Sequence, residues 1–346
     1  MDASAETIPA LLLCWYDVHQ RSLPWRSAPG APPPDAYRVW LSEVMLQQTT
    51  TAAVAPYFAK FLAQWPDVSA LAKADERAVM AAWAGLGYYA RARNLIACAK
   101  AVAATGGQFP PTEAGLRALP GVGAYTAAAV AAIAFGERAA VVDANVERVI
   151  ARLYAISAPL PQARGAIRAK VDALTPAARP GDFAQAMMDL GATVCTPRNP
   201  RCMLCPLATH CAGRLLGAER FPVKPRQPAK PQRRGQAFWI VQDAQVWLVR
   251  RADKGMLGGM RGLPDDGWSA RLDGSAIPPL AGPWASAGTV RHSFTHFDLD
   301  LQLMVYSGRD CSRLAGQAGE WWALDRLGEA GLPTLFAKAA RVVLAD

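Results

Sequence analysis

The sequence predicts a mainly helical N-terminal domain joined to a smaller α+β C-terminal domain, and three observations carry that reading. Up to about Cys211 the chain runs in alanine-rich segments punctuated by glycine and proline, with few β-branched runs. Between Gly213 and Gln236 comes a proline-, lysine- and arginine-rich stretch (FPVKPRQPAKPQRRG), which cannot build a core and reads as an extended linker. Beyond it, strand signals appear. A length of 346 residues makes two domains the default, each large enough to bury its own core.

The helical domain spans 1–211. Within it Leu116–Leu119 closes one helix, a Pro-Gly-Val-Gly turn follows, and Ala124–Ala134 opens the next, giving a helical hairpin over 112–135. Gly121 and Gly123 admit backbone angles closed to other residues, and no side chain there blocks a close ligand. With Val122 between them they lead into a helix whose first amides are free to hold a phosphate. An ordinary tight turn between packed helices would have the same sequence. The linker covers 212–236. In the second domain, 237–346, Phe238–Val241 and Val246–Val249 flank a turn containing Asp243, which predicts a hairpin. Phe297, Leu299, Leu301, Leu303 and Val305 alternate as in a half-buried strand, and Pro333–Leu344 predicts a closing helix.

Composition narrows the function. With 52% hydrophobic and 19% charged residues, the chain is no disordered polymer. Its longest wholly apolar run, Ala127–Phe135, is too short for a bilayer, which needs roughly 20 residues. The start, MDASAET, lacks the basic-then-apolar order of a secretory signal. A cytoplasmic protein is therefore expected, associated with the nucleoid if bacterial, and its seven cysteines suit ligation better than disulfides. The net charge of +9 points to a polyanionic partner; the segment 212–236 alone holds seven basic residues and one acidic. Affinity for such a partner should fall with salt.

Four cysteines, Cys195, Cys202, Cys205 and Cys211, fall in a C-x6-C-x2-C-x5-C array. Four thiolates so close together can wrap either a zinc ion or an iron–sulfur cluster. Zinc sites usually pair two short knuckles; the single C-x2-C and the uneven loops suit a larger cubane better. Arg198, Arg201 and Arg214 would offset the thiolate charge.

The LPGVG turn, followed by Val142-Asp143-Ala144-Asn145-Val146 and the cysteine array, resembles the helix-hairpin-helix glycosylases of base-excision repair. Within them, Leu23-Pro-Trp-Arg26, the run from Trp40 to Thr49 (WLSEVMLQQT) and Gly85-Leu-Gly-Tyr-Tyr89 resemble the MutY-type adenine-specific branch. The motifs occur in order across the first 211 residues. The second domain is similar to that branch's Nudix-like domain, yet holds only Glu320 and Glu329 and no R-E-x-x-E-E array, so a recognition role is expected in place of pyrophosphate hydrolysis.

Breaking a glycosidic bond needs an acid for the leaving base and an anion for the cationic sugar. Glu43 sits in an apolar helical run, where a carboxyl holds its proton longer, although a half-exposed helix glutamate is the commoner fate. Asp143 precedes the helical stripe Val146, Val149, Ile150 and Leu153 and would in any case serve as an N-cap. The resemblance implies that Glu43 protonates adenine N7, that Asp143 stabilises the sugar and helps activate water, and that Asn145 supports it. Tyr125 stands where bifunctional relatives carry a Schiff-base lysine, and a phenol forms none; strand cleavage is not expected. The resemblance further implies an adenine pocket of Trp25, Arg26, Gln185 and Met188, though the pattern by itself places Met188 in the core. It implies a wedge of Gln47, Gln48 and Thr49 with Tyr88 stacking beside the opposite base. Phe294-Thr295-His296 resembles the Phe-Ser-His loop that reads 8-oxoguanine. The expected whole is a monomeric enzyme with one 4Fe–4S cluster, acting on double-stranded DNA with A:8-oxoguanine or A:G mispairs. A glycosylase of the same fold with another base preference, and a non-catalytic iron–sulfur DNA-binding protein, are the competing readings. Two departures are Ala144, where the family usually has glycine, and the segment 254–264, which lacks the relatives' aromatic residues.

Overall fold

The computed structural model describes residues 3–225, 229–252 and 256–345. Its contacts divide the chain into two units: Met1–Ala74 with Asn94–Arg226, and Asp75–Arg93 with Gln227–Asp346. The short stretch 75–93, expected to stay with the helical domain, thus groups with the second unit.

The first unit is built from helices α1 (Ala3–His19), α2 (Ala36–Leu46), α3 (Thr51–Gln64) and α4 (Val68–Ala72). After α5 (Glu76–Ala82) and the start of α6 (Ala90–Ala104), which fall in the other unit, come α7 (Glu113–Arg117), α8 (Ala124–Phe135), α9 (Ala144–Leu153), α10 (Arg164–Leu174), α11 (Pro180–Thr193) and α12 (Ala212–Leu216). Local chemistry fixes their ends. The Asp35 carboxylate takes the Tyr37 and Arg38 amides at the start of α2, and Thr112 takes the Gly115 amide at the start of α7. Gly136, at φ 70°, ends α8 in the left-handed conformation that glycine allows. Helix α8 is the pillar of the unit: Thr126–Ile133 are buried, and α2, α7 and α11 pack on it. Alanine lets neighbours approach closely, and Gly181 on α11 lies so near that a Cβ there would stand 2.5 Å from the Ala132 carbonyl.

The turn from α7 into α8 divides the roles of its two glycines. Gly121 sits at φ 71°, and a Cβ on it would strike the Asn94 side chain. Gly123 caps α8 at φ −82°, an ordinary angle, with nothing within 4 Å of a Cβ built there. So Gly123 does not use the special backbone freedom expected of it; its contribution is open space before the helix amides. Val122 is buried within the turn.

The segment 212–236, expected to be extended throughout, is structured at both ends. Its first residues form α12, Phe221 is buried, and the Leu160 amide bonds the Val223 carbonyl. Its last five residues open the first strand. Arg226, Gln227 and Pro228 lie outside the described residues.

The second unit holds two sheets. In one, β1 (Gln232–Trp239) runs parallel to β6 (Asp298–Tyr306), which pairs antiparallel with β5 (Trp284–Ser293). In the other, β3 (Gln245–Arg250) pairs with β2 (Val241–Gln242), β4 (Arg261–Gly262) and β7 (Gly319–Ala323). The expected hairpin is present: Asp243 and Ala244, both at positive φ, form the turn between β2 and β3. Leu299, Leu301 and Leu303 of β6 point into a core shared with Val246, Leu248 and α13 (Thr334–Ala345), whose Leu335, Phe336 and Ala339 are buried. No helix among the described residues is long and apolar enough to cross a membrane.

Candidate active site

In the first unit α2, the start of α8, the start of α9 and α11 enclose a cavity of about 710 Å³. Glu43, 6% exposed, projects into it from α2. Burial pushes the Glu43 carboxyl up to about 7; Asp143 adds to this, while the Tyr125 hydroxyl and Arg26 pull the other way. Desolvation and the two neighbouring carboxylates hold the Tyr125 phenol well above its ordinary value, so it stays protonated and donates to Glu43 Oε2 at 2.6 Å. Near neutral pH, Glu43 is thus poised between holding and releasing a proton.

Asp143 does two things at once. Its Oδ1 caps α9 by accepting the Val146 amide at 2.7 Å, and its Oδ2 accepts the Asn145 side-chain amide at 2.8 Å. Asn145 is held in turn by Arg148, whose Nη2 donates to Asn145 Oδ1 at 2.9 Å and to the Gly191 carbonyl at 2.6 Å. Gly191 has no room for a side chain, since a Cβ would come within 2.6 Å of Asn145 Cβ. Ala144 is simply the first residue of α9, so the family's glycine is not required there.

Trp25, Arg26, Gln185 and Met188 all line the cavity. Met188 is buried and also forms part of the cavity wall. Gln47, Gln48 and Thr49 form its rim after the end of α2, with Gln48 at a strained φ of 60° and the Gln47 amide 3.4 Å from the Thr126 hydroxyl. Gly121 and Gly123 reach the same rim, whereas the Val122 side chain does not line it.

Tyr88 belongs to the second unit. It sits in a loop of three positive-φ residues, Gly85, Gly87 and Tyr88, and its hydroxyl lies 2.9 Å from the Thr295 hydroxyl. Phe294-Thr295-His296 is the turn between β5 and β6. Phe294 stacks on Phe297 at 4.7 Å and anchors the turn, leaving Thr295 and His296 exposed at its tip. Of the divergent segment 254–264, Lys254 and Gly255 lie outside the described residues.

Cys195, Cys202, Cys205 and Cys211 line one hollow beside Arg152. Among the described residues no three His, Cys, Asp or Glu stand close enough to hold a single metal ion. Four thiols around one hollow can ligate a centre several atoms wide. The donors around them fit an anionic one. Arg152 Nη1 lies 3.4 Å from Cys195 Sγ, and the Gly213 and Arg214 amides face the Cys211 sulfur. Arg152, 2% exposed, also donates to the carbonyls of Phe221, Cys195, Thr196 and Pro197 at 2.7–3.3 Å, pinning the loop to α9.

Comparison with known proteins places the chain in a family. Residues 41–172 match the HhH-GPD superfamily of base excision DNA repair proteins. Residues 195–211 match the iron-sulfur binding domain of endonuclease III, and residues 236–341 match a NUDIX domain. The adenine DNA glycosylase of Homo sapiens is 35% identical over 96% of this chain and 73% of its own length. The chain belongs to the adenine DNA glycosylase family. The Mycolicibacterium smegmatis member is 41% identical over 70% of this chain and 83% of its own. A thermostable thymine-DNA glycosylase superposes with a TM-score of 0.55 at 29% identity, covering 61% of this chain and 97% of that one. The glycosylase therefore carries an iron–sulfur cluster on its four-cysteine loop.

Sequence reasoning missed three residues of this site. Asp189 on α11 receives Arg21 and Arg26 and is wholly buried; a lone carboxylate inside the run Phe183–Leu190 was the available signal. Arg148 and Arg152 hold the cysteine loop from α9, where Arg198 and Arg201 were expected to attend it. Their four-residue spacing beside the apolar stripe of α9 was legible; their partner was not.

Proposed function

We propose that this glycosylase flips adenine mispaired with 8-oxoguanine, or with guanine, out of double-stranded DNA and hydrolyses its N-glycosidic bond, leaving an abasic site. The observation that carries the reading is Glu43: a buried carboxyl, hydrogen-bonded to Tyr125, facing the same cavity as Asp143. Glu43 gives its proton to adenine N7, and the bonding electrons leave with the base as the C1′–N9 bond breaks. Asp143, held by the α9 amide and Asn145, faces the cationic sugar. Water then adds at C1′ and its proton passes to the carboxylate side of the site. Trp25, Arg26, Gln185 and Met188 hold the extruded base. The open amides behind Gly123 take a phosphate, and Gln47, Gln48 and Thr49 fill the vacated stack. Tyr88 and the turn Phe294-Thr295-His296 read the opposite base. The cluster is a 4Fe–4S centre that pins its loop; no step of the reaction runs through it. The enzyme acts as a monomer.

The test uses labelled duplexes carrying A opposite 8-oxoguanine, A opposite guanine, and thymine glycol, half of each treated with alkali after incubation. Adenine-strand cleavage appearing only after alkali is the expected result. Breakage without alkali would overturn the monofunctional reading, which rests on Tyr125 standing where a Schiff-base lysine would be needed. Release from thymine glycol instead would point to another base preference.

The same assay probes the reader. Thr295→Val keeps the branched shape and deletes the hydroxyl that meets Tyr88. Its preference for 8-oxoguanine over guanine opposite adenine should fall roughly 2- to 10-fold, the worth of one hydrogen bond. An unchanged preference would remove Thr295 from the reading surface.

A further inference from the structure

Asp189 has no exposed surface, and it is a charged residue in the apolar middle of α11. It accepts four hydrogen bonds from the chain after α1. Arg26 grips it with both terminal nitrogens, Nη1 to Oδ2 at 2.7 Å and Nη2 to Oδ1 at 3.0 Å. Arg21 adds its Nε to Oδ1 at 2.6 Å and its backbone amide to Oδ2 at 3.0 Å. Two cations share one anion, and one of those cations is the guanidinium whose charge also reaches Glu43.

That sharing matters for the acid. A bare guanidinium in a water-poor cavity favours the ionised form of a nearby carboxyl. Here both ends of Arg26 are turned to Asp189, and Glu43 takes its hydrogen bond from the neutral Tyr125 hydroxyl instead. The groups that face Glu43 are Tyr125 from α8, Asp143 at the start of α9 and Arg26 from the chain after α1. Helix α11 reaches it through Asp189 and Arg26. The Tyr16 hydroxyl of α1, buried and without a hydrogen-bond partner among the described residues, lies beside the same pair.

We propose that Asp189 is a positioning residue for the acid: by binding both ends of Arg26 and offsetting its charge, it fixes the guanidinium in the cavity wall and keeps the proton on Glu43. The inference rests on the reading of Glu43 as the proton donor.

The experiment is the single-turnover excision rate on an A:8-oxoguanine duplex, followed over roughly pH 5 to 9. The wild-type rate should fall as pH rises through the range where Glu43 ionises. In Asp189→Asn the unbalanced Arg26 should move that alkaline limb to lower pH, by roughly one unit. In Arg21→Gln, Asp189 loses a competing cation and offsets Arg26 more fully, so the limb should move to higher pH. Arg21 is 27% exposed in its side chain, so its removal leaves no buried hole.

Opposite displacements in the two variants support the proposal. A limb that stays in place in both while the rate drops uniformly means a purely structural role and overturns it, as does movement in the same direction. If Asp189→Asn loses its helical circular dichroism, Arg21→Gln decides alone: an upward shift supports the proposal, and an unmoved or lowered limb ends it. A wild-type profile with no alkaline limb would instead remove the premise about Glu43. The two failures are therefore told apart by the wild type.

Discussion

Glu43→Gln is expected to reduce adenine excision by at least 10²- to 10⁴-fold, the ordinary contribution of a positioned general acid, while duplex binding stays within a few-fold of wild type. Glutamine has nearly the same shape and still accepts the Tyr125 hydroxyl, so the cavity wall is kept and only the proton is lost. Stability should not suffer, because the substitution removes an ionisable group from a buried position. The sign of the pH dependence follows from the same environment. Burial raises the Glu43 carboxyl to about 7, so the protonated, active form is present below that value and is lost as pH rises through it. A single-turnover rate for Glu43→Gln close to wild type, or a wild-type rate that climbs through neutral pH, would remove Glu43 from the role of acid.

The second large effect is on folding. Arg152→Met should strip the four-cysteine loop of its main anchor. The guanidinium serves the carbonyls of Phe221, Cys195, Thr196 and Pro197 from a position 2% exposed. Methionine fills the volume and serves none of them. The Cys195 carbonyl keeps the Arg148 Nε donor, but those of Phe221, Thr196 and Pro197 lose theirs, at about 1–3 kcal/mol for each acceptor left unsatisfied out of water, so a loss of about 3 kcal/mol is expected. For a domain of this size that corresponds to a drop in Tm on the order of 10 °C. Visible iron–sulfur absorbance should disappear in step with the loop. Wild-type Tm and absorbance in Arg152→Met would show that the carbonyls find other donors and that the loop is held elsewhere. Gly213 marks how tightly the parts fit, since a Cβ there would stand 2.3 Å from the Arg152 carbonyl.

What the sequence made legible, and what it hid, divides along one physical line. Features set by local pattern were readable: the hairpin turn, the cysteine spacing, the Asp243 turn and the alternation of β6 each need only neighbouring residues. The residues of the adenine pocket were readable only through family motifs, because Trp25 and Gln185 meet across 160 positions of chain. Asp189 and Arg152 escaped because a buried charge is written with the same letters as a surface one; only the fold says that Arg26 and Asp189 pair in a buried site and that Arg152 meets backbone carbonyls. The linker was misjudged at both ends for a related reason. Its composition forbids a core of its own, but Phe221 borrows one from the helical unit, and Gln232–Gln236 complete a strand by pairing with β6.

Gly123 and Tyr125 stand two residues apart at the start of α8, one opening on solvent and the other holding Glu43. Behind them the helix is enclosed by its neighbours from Thr126 to Ile133, leaving little play between its tip and its body. If a backbone phosphate docks at that tip, its distance to the proton on Glu43 is set by the short, enclosed start of α8. A strand seated one nucleotide out of place would bring the wrong sugar to the acid, and bending α8 would not correct it. Registration along the DNA and delivery of the proton would then be two readings of a single fixed length.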